Sequence, residues 1–377
     1  MAGPLQGIKV LEVCHMLAGP YCGMLLADLG AEVTKIEPPG GDIARTVGPH
    51  AVGRHNVYFA SLNRNKRSVC LDLTDPHDHA VFARLAADAH ALVTNLRPSA
   101  IRKLGLTYPA MRQWNERIVC LALTGFGLDG PYADRPAYDY IIQALTGIMA
   151  LTGDPGAAPT KTGYSVVDNS AGIMGAVGLL AKIIEGKGGQ IDISLHDTML
   201  SQLNYLAAAY LNAGDVPQRQ LAGGHPYIIP AQIFATRDGH LALFISHDGF
   251  WRSFCEAVER PEWAIDPRFA TMAARAAHRE RVVDAVSALL LGRATAHWVE
   301  LLAPKGIVVA GVETLDAALD SERVAQRQMV AMVSTPDGVL RLVANPMRFD
   351  GQDTTAYLPP PLLGEANEQV GARPMQA

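Results

Sequence analysis

Ile8-Lys9-Val10-Leu11-Glu12-Val13, an apolar stretch from Gly19 to Leu29, and Ala31-Glu32-Val33-Thr34-Lys35-Ile36-Glu37 together decide the fold. The two outer runs are rich in β-branched residues and read as strands. The stretch between them has the length of a short helix, and Gly30 closes it. Strand, helix and strand in this order form a βαβ unit, whose strands run parallel with a right-handed crossover. Pro38-Pro39-Gly40-Gly41 then ends the second strand.

The pattern repeats outward from there. Ser68 to Leu73 reads as a third strand, and Asp75-Pro76 starts the helix after it. Ala91 to Asn95 and Ile118 to Leu123 read as the fourth and fifth strands, and Gly189 to Leu195 as a later one. Repeated alternation predicts an α/β fold with a Rossmann-like, mostly parallel sheet. Past about residue 215 the character changes. Ile228 to Ala235 and His240 to Ser246 flank Arg237-Asp238-Gly239, a hairpin signal, and helical segments follow near 249–258, 278–291 and 295–304. The expected division is therefore a large domain over 1–200, completed by about 345–377, and a smaller α+β domain over 225–325. Residues 201–224 and 326–344 are expected as linkers.

Composition excludes several classes. Hydrophobic residues make up 49% and charged residues 18% of the 377, which fits a folded globular chain. A net charge of −5 with interspersed signs announces no nucleic-acid partner. The five cysteines, at 14, 22, 70, 120 and 255, form no CxxC pair, which argues against zinc or a disulfide framework. Cys14, Cys70 and Cys120 sit in strand contexts and read as buried packing residues. No histidine has metal-ligand spacing, so no metal site is expected. No signal-like N-terminus and no apolar run of about 18 residues stands out. A soluble cytoplasmic protein with no membrane partner is the expectation.

Three features bear on chemistry. Gly163-Tyr164-Ser165-Val166-Val167 reads as a strand that stops at Asp168, and an apolar helix then runs to about Glu185. Asp168 is thereby expected at a helix N-cap, where backbone amides and the macrodipole favour an anionic carboxylate. Such a group either merely caps its helix or serves as a nucleophile toward an activated acyl group. Gly125-Phe126-Gly127-Leu128-Asp129-Gly130 matches a dinucleotide fingerprint literally, but Pro131 follows and no helix opens at the third glycine, so NAD binding is not supported. The loop reads either as a plain turn or as an active-site loop at a strand's carboxyl end. Basic residues gather in Asn63-Arg64-Asn65-Lys66-Arg67 and again at Arg97, Arg102 and Lys103. They read as solvated turns or as attraction for an anionic cofactor.

Taken together, the chain resembles the class III CoA-transferases, the family of formyl-CoA and carnitine CoA-transferases. The resemblance begins at Leu5-Gln6-Gly7-Ile8-Lys9-Val10-Leu11-Glu12 and continues through Ala18-Gly19-Pro20 and Leu29 to Pro38. It takes in Asn65-Lys66-Arg67-Ser68, Thr124-Gly125-Phe126-Gly127, Arg135-Pro136-Ala137-Tyr138-Asp139, and Pro361-Leu362-Leu363-Gly364-Glu365. It implies that Asp168 is the nucleophile. It places CoA contacts at His15, Leu17, Ala18, Leu71, Leu73, Asn95, Leu96, Arg97 and Lys103, and at the pair Tyr138 and Asp139 near the thioester. Acyl-CoA and a small carboxylic acid would be the substrates, no cofactor would be tightly bound, and the assembly would be an interlocked, ring-like homodimer. Formyl-CoA transferase differs in having a glutamine at Leu17, an arginine at Pro38 and a glycine run where this chain has Gly223-Gly224-His225-Pro226. Those departures point away from formyl and oxalyl substrates.

The expected activity is acyl-CoA:carboxylate CoA transfer through mixed-anhydride and aspartyl-CoA thioester intermediates. One rival is an α-methylacyl-CoA racemase. Racemases of this superfamily carry a glycine run after the acid and a histidine in the 125–130 region, whereas Asp168 is followed by Asn169-Ser170-Ala171 and no histidine lies between Gly125 and Pro136. The other rival is a non-catalytic CoA-binding protein, which would have no use for the acid at 168.

Overall fold

The computed structural model describes residues 3–351 and 355–375. It divides into two compact units. The larger comprises Met1–Thr146, Gly163–Asn204 and Ser321–Ala377, and the smaller comprises Gly147–Thr162 and Tyr205–Asp320.

The larger unit is built on a six-stranded parallel sheet. Its strands are β1 (Lys9–Val13), β2 (Glu32–Glu37), β3 (Lys66–Cys70), β4 (Ala91–Thr94), β5 (Val119–Thr124) and β6 (Gly189–Ser194), in the order β3-β2-β1-β4-β5-β6. Helices cover both faces, so inner strands are largely buried: every residue of Val119–Thr124 is buried. The strand order reverses between β1 and β4, and open α/β sheets bind ligands at the carboxyl ends beside such a reversal. The third strand lies at 66–70 instead of 68–73, because Lys66 and Arg67 pair with Val33 and Thr34.

The expected strand at 163–167 does not form. A 20-residue helix starts at Val166 and runs to Glu185, with Ser165 as its N-cap, so Asp168 occupies its first turn instead of capping it. This helix packs on α1 (Ala18–Asp28) through Gly172, where a Cβ would come within 2.8 Å of the Ala18 carbonyl oxygen. The close approach sets Asp168 beside the β1–α1 turn. By length and composition the helix is apolar enough to cross a bilayer, contrary to the expectation of no such run.

Residues 326–344, expected as a linker, carry a hairpin of Val330–Thr335 and Gly338–Val343 with its own buried cluster around Val333 and Leu340. Residues 364–367 seal the β3 edge. Gly364 N–H donates to Ser68 Oγ at 3.0 Å, Ala366 N–H to the Ser68 carbonyl at 3.0 Å, and Cys70 N–H to Asn367 Oδ1 at 2.8 Å. Covering a sheet edge removes a template for unwanted pairing.

The smaller unit combines strands and helices, and it takes in residues 147–162, expected in the large domain, and 205–224, expected as a linker. Its three-stranded antiparallel sheet contains the hairpin Ala231–Ala235 and His240–Phe244 with Val308–Gly311. Helices bury Trp251, Phe254 and Trp298 against it.

Candidate active site

The β1–α1 turn, the β4 exit, the β5 exit and the first turn of the Asp168 helix enclose a cavity of 240 Å³. His15, Leu17, Ala18, Asn95, Leu96, Arg97, Tyr138 and Asp168 all line it. A second, mostly apolar cavity of 490 Å³ lies alongside, lined by Ile43, Leu71, Leu73 and Leu104 among others, and shares His15, Leu96 and Tyr138 with the first. The two cavities thus meet at His15.

Two expected contacts line neither cavity. Lys103 is exposed at the end of the short helix Pro98–Lys103, next to Leu104 of the second cavity. Asp139 is buried behind the site. Its Oδ2 accepts from Val167 N–H at 2.8 Å and from Asp168 N–H at 3.4 Å, while Oδ1 accepts from Gln143 Nε2 at 2.6 Å. A carboxylate from another segment therefore caps the Asp168 helix.

This capping corrects the expected charge of Asp168. The amides that would favour its anion already serve Asp139. Burial, reinforced by the Asp139 charge, pushes the Asp168 carboxyl up to about 7. The helix dipole, typically worth less than about 1 kcal/mol at a single charge, is outweighed.

Asn95 lines the cavity, but its side chain is committed elsewhere. Its Oδ1 accepts from His15 N–H at 2.9 Å and its Nδ2 donates to the His15 carbonyl at 2.8 Å. It therefore positions the β1–α1 turn. Of the glycine loop, only Gly125 reaches this cavity. Gly127 N–H donates to Thr124 Oγ1 at 3.0 Å and Leu128 N–H to Asp192 at 2.9 Å.

Within the basic segment 63–67, Arg67 is exposed as a solvated residue would be, but Arg64 and Lys66 fit neither expected reading. Arg64 and Lys66 are buried and paired: Arg64 binds Asp28 at 2.6 Å, and Lys66 binds Glu12 at 2.7 Å. Glu12 also binds Lys35 at 3.0 Å, and Lys35 binds Asp42 at 2.9 Å. All four side chains of this Glu12–Lys35–Lys66–Asp42 cluster are sealed from solvent. Burial opposes the Lys35 ammonium, but Glu12 and Asp42 outweigh it and raise its pKa. Burial lowers Lys66, with Glu12 opposing. The cluster grips the site turn. Lys35 donates to the Cys14 carbonyl at 3.0 Å, Lys66 to the Pro20 carbonyl at 2.8 Å, and Met16 N–H to Asp42 at 3.1 Å. Met16 accordingly holds φ at +61°, a left-handed conformation unusual for a long side chain. None of these roles was expected, although a glutamate and a lysine inside strands buried on both faces are a readable signal.

This fold and site define a CoA-transferase: the model of CoA-transferase family III matches residues 5–367, and the chain belongs to that family. It is 34% identical over 357 residues to an acetyl-CoA:oxalate CoA-transferase of Acetobacter aceti, covering 93% of this chain and 90% of that one. It is also 34% identical to a succinate–glutarate CoA-transferase of Agrobacterium fabrum, covering 97% and 94%. A CAIB/BAIF family protein from Brucella suis has the same fold, with a TM-score of 0.86, 32% identity, and 98% and 99% coverage. The chain is a CoA-transferase.

Proposed function

We propose that the transfer runs through Asp168. The carboxylate attacks the donor thioester, giving a mixed anhydride and CoA thiolate. The thiolate returns to the aspartyl carbonyl, releases the donor acid and leaves an aspartyl-CoA thioester. The acceptor carboxylate then reverses the sequence. The observation that carries this reading is Asp168 at the wall of the 240 Å³ cavity, with a larger apolar cavity adjoining at His15. The reacting end of a long thioester fits the first, and apolar parts of its carrier fit the second, with Leu71 and Leu73 against them and Lys103 outside for a phosphate. Holding the carrier in place keeps the thiolate close for its return.

The acids exchanged are proposed to be small dicarboxylates, as the named relatives act on oxalate, succinate or glutarate. An oxalate enzyme is as similar as a glutarate enzyme, so Leu17 and Pro38 do not by themselves exclude oxalate. The test is incubation with succinyl-CoA and a panel of mono- and dicarboxylic acids, with hydroxylamine present to trap acyl-enzyme. New CoA thioesters and an Asp168 hydroxamate are expected. Epimerisation of a 2-methylacyl-CoA without transfer would establish the racemase reading instead.

The chain is further proposed to work as an interlocked homodimer. The Asp168 helix leaves Ile173, Met174 and Val177 between 47% and 57% exposed, on a single-chain surface where such residues call for a cover. Light scattering over a wide dilution range should give twice the chain mass throughout. A folded, active monomer at low concentration would rule this assembly out.

A further inference from the structure

We propose that His15 is a catalytic residue: its neutral imidazole donates a hydrogen bond from Nε2–H to the acyl oxygen that becomes negative as the acyl group passes to and from Asp168. This rests on the CoA-transfer reading and assigns one part of it.

The reaction needs donors at that oxygen. Two sets of backbone amides near the site are already engaged. The amides of Val167 and Asp168 serve Asp139, and those of Gly127 and Leu128 serve Thr124 and Asp192. His15 stands where a donor is required, since it lines the cavity of Asp168 and the adjoining cavity together. Its Nδ1 is sealed from solvent and has no partner among the described residues. A buried N–H with no acceptor is costlier than a buried lone pair, so the proton belongs on Nε2. Burial lowers the pKa of the ring; Asp42 opposes this, while Lys35 and Arg97 add to it. With Asp168 across the cavity, these are the charged groups around the ring, and it stays neutral at physiological pH.

The backbone that carries the ring is also held in advance. Asn95 bonds both the N–H and the carbonyl of His15, Lys35 bonds the residue before it, and Asp42 bonds the residue after it. A donor fixed before the reaction need not reorganise during it. As a carboxylate oxygen of Asp168 bonds to the thioester carbon, the carbonyl electron pair moves onto oxygen. It then re-forms the C=O bond as the C–S bond breaks and sulfur leaves with its pair as thiolate. His15 stabilises the intermediate charge and keeps its proton.

The test uses the full chain with His15→Ala and His15→Gln. His15→Ala should lower kcat about 100-fold, with KM for acyl-CoA changed less than about threefold and Tm unchanged. His15→Gln, which keeps a donor, should recover part of kcat. An unchanged kcat in His15→Ala would hand the task to the amides at the start of α1 and overturn the proposal. A raised KM with unchanged kcat would overturn it too, reducing His15 to a carrier contact. Long-range proton–nitrogen NMR of the wild type reads the tautomer independently of any variant, and a proton on Nδ1 would contradict the assignment. If the wild type moves CoA between no acids at all, the transfer reading itself fails, a result distinct from any His15 effect.

Discussion

Asp168→Asn is expected to lower CoA transfer by roughly 10⁴-fold or more, the scale on which removal of a covalent nucleophile acts. The amide keeps the shape and the helix position but cannot form an anhydride. Acyl-CoA should still bind, because the rest of the site is intact. The wild type should gain kcat/KM as pH rises through about 7, since only the ionised carboxylate attacks and its pKa sits there in the free enzyme. Stability runs the other way. The folded-state pKa is raised above the ordinary 3.8, so the favourable contribution of the neutral acid is complete below pH 4 and lost as pH climbs through 7. Asp168→Asn escapes that loss and should unfold later than wild type above pH 7, with no advantage below about pH 4. The gap between 3.8 and 7 sets a ceiling of roughly 4 kcal/mol. Steady-state rates at pH 5 and pH 8, with thermal unfolding below pH 4 and at pH 8, check both halves. Near-normal transfer by the asparagine variant would end the covalent mechanism.

Lys35→Met should destabilise the larger unit by about 3–5 kcal/mol, the cost of leaving buried charge without its partner. Methionine fills similar space, so the loss isolates the charge. Glu12 would keep only Lys66, and Asp42 would lose its ammonium while still tied to Met16 N–H. The turn carrying His15 should loosen with it, so activity should fall further than stability alone explains. Adding Asp42→Asn should return part of the stability by removing the stranded carboxylate, while its amide oxygen still accepts from Met16 N–H. Urea unfolding at neutral pH measures each step, and a loss below about 1 kcal/mol would show that the cluster contributes no more than a surface pair.

Much of the fold was legible because its signals are local. Lys9–Val13, Ala18–Asp28 and Glu32–Glu37 carry their own periodicity, and their alternation dictates a parallel sheet. The site was legible where resemblance named residues that the chain brings together, such as His15, Arg97, Tyr138 and Asp168. What was missed depends on partners remote in sequence. Gly163–Val167 looks like a strand because nothing nearby reveals that Asp139, 29 positions before Asp168, will bond its amide. Arg64 and Lys66 look like surface charge because their partners, Asp28 and Glu12, arrive from other elements. One clue was available: Glu12 and Lys35 stand in apolar strands, and in the parallel pairing of β1 with β2 they face each other.

The seal on the β3 edge has a consequence in time. Gly364 must reach back across 296 positions to Ser68. At ordinary translation speeds of about 5–20 residues per second, that separation amounts to roughly 15–60 seconds on the ribosome. During that interval the nascent sheet has strands to pair but no 364–367 segment to close its border. Newly made chains are therefore most open to mispairing with their neighbours at β3, and a chaperone that shields that strand would act where the finished molecule shields itself.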